Sequence, residues 1–262
     1  MPTTEDSALL LARAGDLVAR AQRGEVAYTS FLTPREQKIL RRAFGEARED
    51  LIFDGGYEAA ERKRAFFLPP WMLADTAQAL DEWLTEPKEE CLVPLLIKGS
   101  GFRTLYHKDY LGAILNLGTE RAAIGDVCVT SENTAVLFCD RVIARFLCEH
   151  LTRVANDAVK LCECTLPPDF DGGRTFEPVN DTVASPRADS VVAALANLSR
   201  DRACEMLRAG LVEIDYETVY EKDTPVTEGC VIVIRGKGKF LIRSLSDLTK
   251  KGRYRLVANK YL

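Results

Sequence analysis

The chain has 262 residues, 47% of them hydrophobic and 28% charged, with a formal net charge of −4. That is enough apolar material for packed cores, and the length suggests two or three domains rather than one. No apolar run approaches the roughly 18 residues of a membrane span, and the opening MPTTEDSALLLARAGD has no basic leader or cleavage site, so a soluble cytoplasmic protein is expected.

Residues 1–85 read as a helical N-terminal domain. SALLLARAGDLVARAQ has apolar residues at helical spacing, and FLTPREQKILRRAFG supplies Thr33 as N-cap, Pro34 at the first helical position and Glu36 closing a capping box. A turn at Gly55-Gly56 precedes a basic cluster, Arg62-Lys63-Arg64, which is expected on a solvated helix face.

Residues 86–168 change pattern. CLVPLLIKG is a strand candidate, and HKDYLGAILNLG is a helix ended by Gly118. GDVCVT and TAVLFC are strands around the turn SEN. DRVIARFLCEHLTRVAN is a helix capped by Asp140, and VKLCECTL is the last strand. The order β-α-β-β-α-β is that of an RRM-like or ferredoxin-like domain. An RNA platform of the usual kind needs aromatic and basic residues on its central strands, and AVLFC offers one Phe.

Residues 169–183, within the Pro-, Gly- and Asp-rich PDFDGGRTFEPVNDTVASP, read as a linker, and DFDGG lacks the spacing and closing Glu of a calcium loop. From 184 to 262 the expectation is two short helices, RADSVVAALANL and SRDRACEMLRA, followed by the strand-like runs LVEIDYETVY, CVIVIRG, KFLIRSL and YRLVANKYL. This segment holds 14 basic against 10 acidic residues, and its last 28 residues hold nine basic residues and one acid, Asp247. An acidic body with a basic C-terminal end fits a polyanion partner, although a basic tail can also be merely solvated.

The eight cysteines, Cys91, Cys128, Cys139, Cys148, Cys162, Cys164, Cys204 and Cys230, form no CxxC and fall mostly in apolar stretches. They read as reduced core residues, and with two histidines in the chain no metal site is expected.

The helix SRDRACEMLRA, with Ser199 as N-cap, poses a problem. Arg200 and Arg202 lie in its first turn, where the macrodipole disfavours cations by about 0.3–1 kcal/mol each. The same turn has unpaired backbone N–H groups that favour anions, so forked guanidinium donors become an asset once a phosphate arrives. Two exposed arginines tolerated at small cost explain the placement equally well.

The stretches RAD, LSRDRACEMLRAGLVEID and VTEGCVIVIRGKG resemble the S4 RNA-binding domain, in which a helix opening with Ser-Arg and the following strand line a groove for structured RNA. The chain keeps Arg187, Asp189, Ser199, Arg200, Ala203, Gly210, Val212 and Gly229. It departs with Ala188 for Leu, Asp215 for Asn, Cys230 for Asp and Lys237 for an aromatic, and Asp215 brings a negative charge beside the groove.

TPREQKIL, GGYEAAERKRAFFLP, HKDYLGAILNLGTERAAIGDV and RGKGKFLI…LTKKGRYRL extend the likeness over nearly the whole chain, which resembles the YlmH family of bacterial S4 proteins. The resemblance implies an α+β protein of three parts: a helical N-terminal domain, an RRM/ferredoxin-like middle domain, and an S4 domain over 184–262 with a basic C-terminal extension. It also implies a non-catalytic factor of ribosome-associated quality control, binding ribosomal RNA and tRNA on the large subunit that carries a stalled peptidyl-tRNA. Other quality-control factors would be further partners, and no cofactor, membrane or small-molecule substrate is expected. The RNA-binding residues it implies are Arg187, Ser199, Arg200, Arg202, Arg208, Lys237 and Lys239, extended by Lys250, Lys251, Arg253 and Arg255.

Two other readings stand beside it. One is a scaffold protein of cell division with the S4 module in a secondary role. The other is an RNA-modifying enzyme using His107 and Asp109 as an acid–base pair. Against the enzyme, HKDYLG has no nucleophile motif with it, GKGKF lacks Walker spacing, and Asp109 suits a helix start.

Overall fold

The computed structural model describes residues 4–45, 48–73, 76–85, 91–245, 249 and 252–261. The chain divides into two compact units, Met1–Gly173 and Arg174–Leu262.

The first unit begins with α1 (Thr4–Gln22), β1 (Ala27–Tyr28), α2 (Pro34–Phe44), β2 (Leu51–Asp54), β3 (Arg64–Phe67) and α3 (Thr76–Thr85). The capping box forms as read: Glu36 N donates to Thr33 Oγ1 at 3.3 Å, and Thr33 N donates to Glu36 Oε2 at 2.7 Å. The purely helical expectation fails, because β1, β3 and β2 make a three-stranded antiparallel sheet. RAFF is buried at every position, so it is a central strand with no helical face.

The two arginines of the basic cluster are likewise turned inward rather than solvated, while Lys63 is half-buried. Arg64 pairs with Asp140 at 3.1 Å and lies over the Phe31 ring at 4.5 Å. Arg62 donates to the carbonyls of Phe31, Arg121 and Ile124.

The unit continues with β4 (Val93–Gly99), α4 (His107–Asn116), β5 (Ile124–Ser131), β6 (Thr134–Cys139), α5 (Arg141–His150), β7 (Arg153–Val154) and β8 (Asp157–Glu163). Their antiparallel sheet runs β5-β6-β4-β8-β7. Asp140 caps α5 by accepting from Ile143 N at 2.9 Å. The helix ends at His150, six residues before the sequence pattern suggested, and the chain turns into the β7–β8 hairpin.

Side chains alternate across β4. Leu95 and Ile97 face Tyr110, Ile114 and Leu147 of the two helices. On the other side Cys128, Val136 and Phe138 pack against Phe31, Tyr57, Leu96 and Phe170. Tyr57 stacks on Phe138 at 5.0 Å and 24°, and its hydroxyl donates to Asp126 Oδ2 at 2.8 Å. Asp126 also accepts from Glu61 N and Arg62 N, so one carboxylate anchors the whole covering loop. Gly56, at φ +91, leaves room for that stack; a Cβ there would stand 2.5 Å from the Phe138 ring.

The second unit is β9 (Phe176–Val183), α6 (Ala188–Ala196), α7 (Arg200–Arg208), β10 (Val212–Ile214), β11 (Glu217–Thr218), β12 (Val231–Ile234), β13 (Gly238–Ser244) and β14 (Tyr254–Tyr261). Its antiparallel sheet runs β11-β10-β12-β13-β14-β9. The expected linker, 169–183, therefore contains an edge strand, with eight register pairs from Tyr254↔Val183 to Tyr261↔Phe176. Turn-forming residues in TFEPVNDTV masked it, and Pro178 is tolerated because β9 has a neighbour on one side. The basic end is likewise a sheet strand, β14. Ile232, Ile234, Phe240, Ile242, Leu256 and Ala258 meet α6 and α7 in one core.

All eight cysteines are free thiols, but the core expectation holds for Cys91, Cys128, Cys139 and Cys230, whereas Cys148 and Cys162 are exposed. Burial pushes the Cys91 thiol up to about 12.

Candidate nucleic-acid interface

Ser199 caps α7 by accepting from Arg202 N at 3.2 Å. Arg200, at the cation-disfavoured end of α7, is held by an acid from the neighbouring helix: its Nη2 donates to Asp189 Oδ2 at 2.5 Å. Arg187 approaches the other oxygen, with Nε 3.5 Å from Asp189 Oδ1, a charge contact too long for a good hydrogen bond. The Asp189 side chain is 4% exposed, while those of Arg187 and Arg200 are 38% and 54% exposed. One buried carboxylate in the first turn of α6 thus orients two guanidinium groups that still reach solvent. Arg202 is paired with Glu205 on its own helix, and Arg208 is exposed in the last turn, where the dipole favours it.

Arg200 is therefore partly explained by stability, through an ion pair the sequence reading did not foresee. Asp215 is also occupied. Its carboxylate accepts from Val231 N at 2.9 Å and from Cys230 Sγ at 3.3 Å. Two of the four departures from the S4 pattern, Asp215 and Cys230, meet each other, and the carboxylate fastens the start of β12.

The remaining expected residues do not join this cluster. Lys237 is exposed at the β12–β13 turn. Lys239 lies on β13 between Gly238 and the core residue Phe240, so it points to the sheet face away from the helices. Arg253 binds Thr182 through both its carbonyl and hydroxyl oxygens, tying the start of β14 to β9. Arg255 is exposed opposite Thr182. Lys250 and Lys251 lie outside the described residues. The described members of the expected set are thus split between a helix layer, the β12–β13 turn and the far side of the sheet.

In the first unit, Lys98 and Lys160 are exposed register partners on β4 and β8. Like charges directly opposite each other destabilise a sheet, so an anion is the natural complement of this pair. Sequence reasoning missed it because KG and VKL look unremarkable until the register is known. The β4–α4 loop beside it presents Phe102, Arg103 and Tyr106, and the first turn of α4 presents Lys108, all exposed; the loop is anchored where Ser100 N donates to the buried Asp157 at 3.1 Å.

Asp109 is used in capping α4, accepting from Tyr106 N at 2.9 Å. Partial burial, and then the charge of Arg121, push the His107 pKa down. A cleft of about 500 Å³ is lined by Lys108, Asp109, Asn116, His150, Thr152 and Arg153. Among the described residues, no three His, Cys, Asp or Glu side chains are grouped to hold a metal ion, and no helix is long and apolar enough to cross a membrane.

A family model described as "Putative RNA-binding domain in YlmH" matches residues 96–167, which span the β4–β8 sheet and its two helices. The chain is 32% identical over 228 residues to "Ribosome-associated protein quality control protein P2" of Bacillus subtilis (strain 168), covering 87% of this chain and 84% of that protein. Among solved structures, "Cell division protein ylmH from Streptococcus pneumoniae" matches 62% of this chain and 93% of its own at 19% identity, with a TM-score of 0.45. At that score the structural likeness carries no weight.

Proposed function

Because the chain belongs to the YlmH family, we propose that it binds structured RNA on the large ribosomal subunit and serves ribosome-associated quality control of stalled peptidyl-tRNA. The observation that carries this reading is the 32% identity along 84% of a relative named for that process, together with an RNA-binding family model over residues 96–167.

In this reading residues 184–262 are an S4 domain, β9 extends its sheet, and residues 86–168 are a ferredoxin-like module. The two domains contact RNA differently. The platform face of the middle sheet is filled by Phe31, Tyr57 and Phe170, so stacking there is closed to bases. Phosphates are left to Lys98 and Lys160, to Arg103 of the neighbouring loop and to Lys108 at the start of α4. In the C-terminal unit Arg187 and Arg200, pre-oriented by Asp189, present the donors left over from that pair, and Ser199, Arg202 and Arg208 line the same helix layer. The role is one of binding without catalysis, with Asp109 serving α4.

The test is recovery of the tagged chain from cells after ultraviolet cross-linking, with sequencing of the attached RNA. Enrichment of large-subunit ribosomal RNA and tRNA over small-subunit and messenger RNA is expected. RNA recovery no greater than from a tag-only control would refute the proposal.

A further inference from the structure

The side of the C-terminal sheet turned away from α6 and α7 has its own chemistry. Lys239 faces Val233 across β12, and because Phe240 pairs with Lys260, it faces Tyr261 across β14. Its ammonium lies 4.7 Å from the Tyr261 ring centre and 5.3 Å from that of Tyr216. Tyr261 in turn meets Phe176 edge-on at 5.0 Å, and Phe176 is 37% exposed. Arg243 and Arg255 are exposed on the same face, where the registers place Glu213 as an acid. The half-buried Lys239, Tyr216 and Tyr261 and the exposed Phe176, Arg243 and Arg255 thus share one face with a positive balance.

The β10–β11 turn adds an independent observation. Asp215 and Tyr216 form its two-residue loop at φ +48 and +65. Such loops favour Asn-Gly or Asp-Gly, since both central positions are left-handed, and a bulky Tyr at the second is an outlier. Strain of this kind persists where the surroundings over-determine it, often at a working surface. Here it places a ring against Lys239.

We infer that this open face is a second RNA site, which takes single-stranded RNA by stacking bases on Phe176, Tyr216 and Tyr261 while Lys239, Arg243 and Arg255 hold phosphates. Aromatic platforms tracked by cations are how single strands are gripped without sequence readout. The inference rests on the RNA-binding reading above, but it uses the opposite side of the sheet from Arg187 and Arg200. The unit could then hold two RNA segments at once, one on each layer.

Fluorescence anisotropy of the full chain tests it, with labelled oligo-uridine of about a dozen nucleotides, within the span such surfaces hold. A labelled RNA hairpin serves as the second probe. Tyr216→Gly removes the ring and relieves the turn, so oligo-uridine should bind about tenfold more weakly while the melting temperature stays equal or rises. Lys239→Gln should also weaken it. Wild-type affinity in both variants would overturn the inference. A chain that binds the hairpin but not oligo-uridine would also overturn it, leaving the face to a protein partner and the first reading standing. If neither RNA binds, both fail.

Discussion

The two larger sheets of this chain share a plan and differ in what lies on their second face. Each packs a pair of helices on one side, α4 and α5 in the first unit and α6 and α7 in the second. In the first, Phe138 looks outward from β6 but is fully buried, because Tyr57, Phe31 and Phe170 close over it. In the second, Tyr261 looks outward from β14 into company with Lys239 and Phe176. An aromatic residue alternating off a sheet is therefore core in one unit and surface in the other. What separates them is the chain available to cover it: a loop pinned by Asp126 in the first, and the side chains of Arg174, Phe176 and Lys239, which leave the ring half-buried, in the second.

The sharpest way to break this contrast is to delete each ring. Phe138→Ala should cost about 3–5 kcal/mol in urea unfolding, because it leaves a cavity under a stacked tyrosine. Tyr261→Ala should cost about 1 kcal/mol or less, as a surface change does. Equal losses would show that the second face is sealed too. Next in size is Arg200→Ala, which strips one of two guanidinium partners from the buried Asp189. A loss of about 1–2 kcal/mol is expected, below the figure for a fully buried pair because Arg200 is half exposed.

Smaller still is Lys160→Ala, which removes a like-charge neighbour of Lys98. Unfolding free energy should hold or rise by a few tenths of a kcal/mol. The salt slope of RNA binding should fall by about one. The smallest effect concerns pH. His107 is held below its ordinary value of 6.5, so the folded state binds fewer protons than the unfolded one as pH drops past that value. Stability should decline there on acidification, and His107→Gln should flatten that part of the curve.

Local chemistry carried most of the fold into the sequence. The Thr33–Glu36 box, the Asp140 cap and the Ser199 cap are short-range patterns, and each forms at the residue expected. Strands defined by distant partners were harder to see. RAFF has no alternation because both of its faces are buried, and TFEPVNDTV looks like loop because its pairing partner lies some 80 residues away on β14. The candidate site was legible by residue type and illegible by geometry. Arg187, Arg200 and Lys239 were all identifiable, yet only the register shows that Lys239 leaves the sheet on the other side. Arg200 looked misplaced because its partner, Asp189, belongs to another helix.

The most direct measurement is cosedimentation of the full chain with large ribosomal subunits at low and moderate salt, wild type beside Arg202→Ala, Arg208→Ala. These two arginines are exposed and do not touch Asp189, so the pair can be removed with little loss of stability. The wild type should travel with the subunits at low salt and lose about two to three orders of magnitude of affinity over a few-fold rise in salt. The double variant should bind more weakly and with a shallower slope. A wild-type chain that stays at the top of the gradient at low salt would contradict the account.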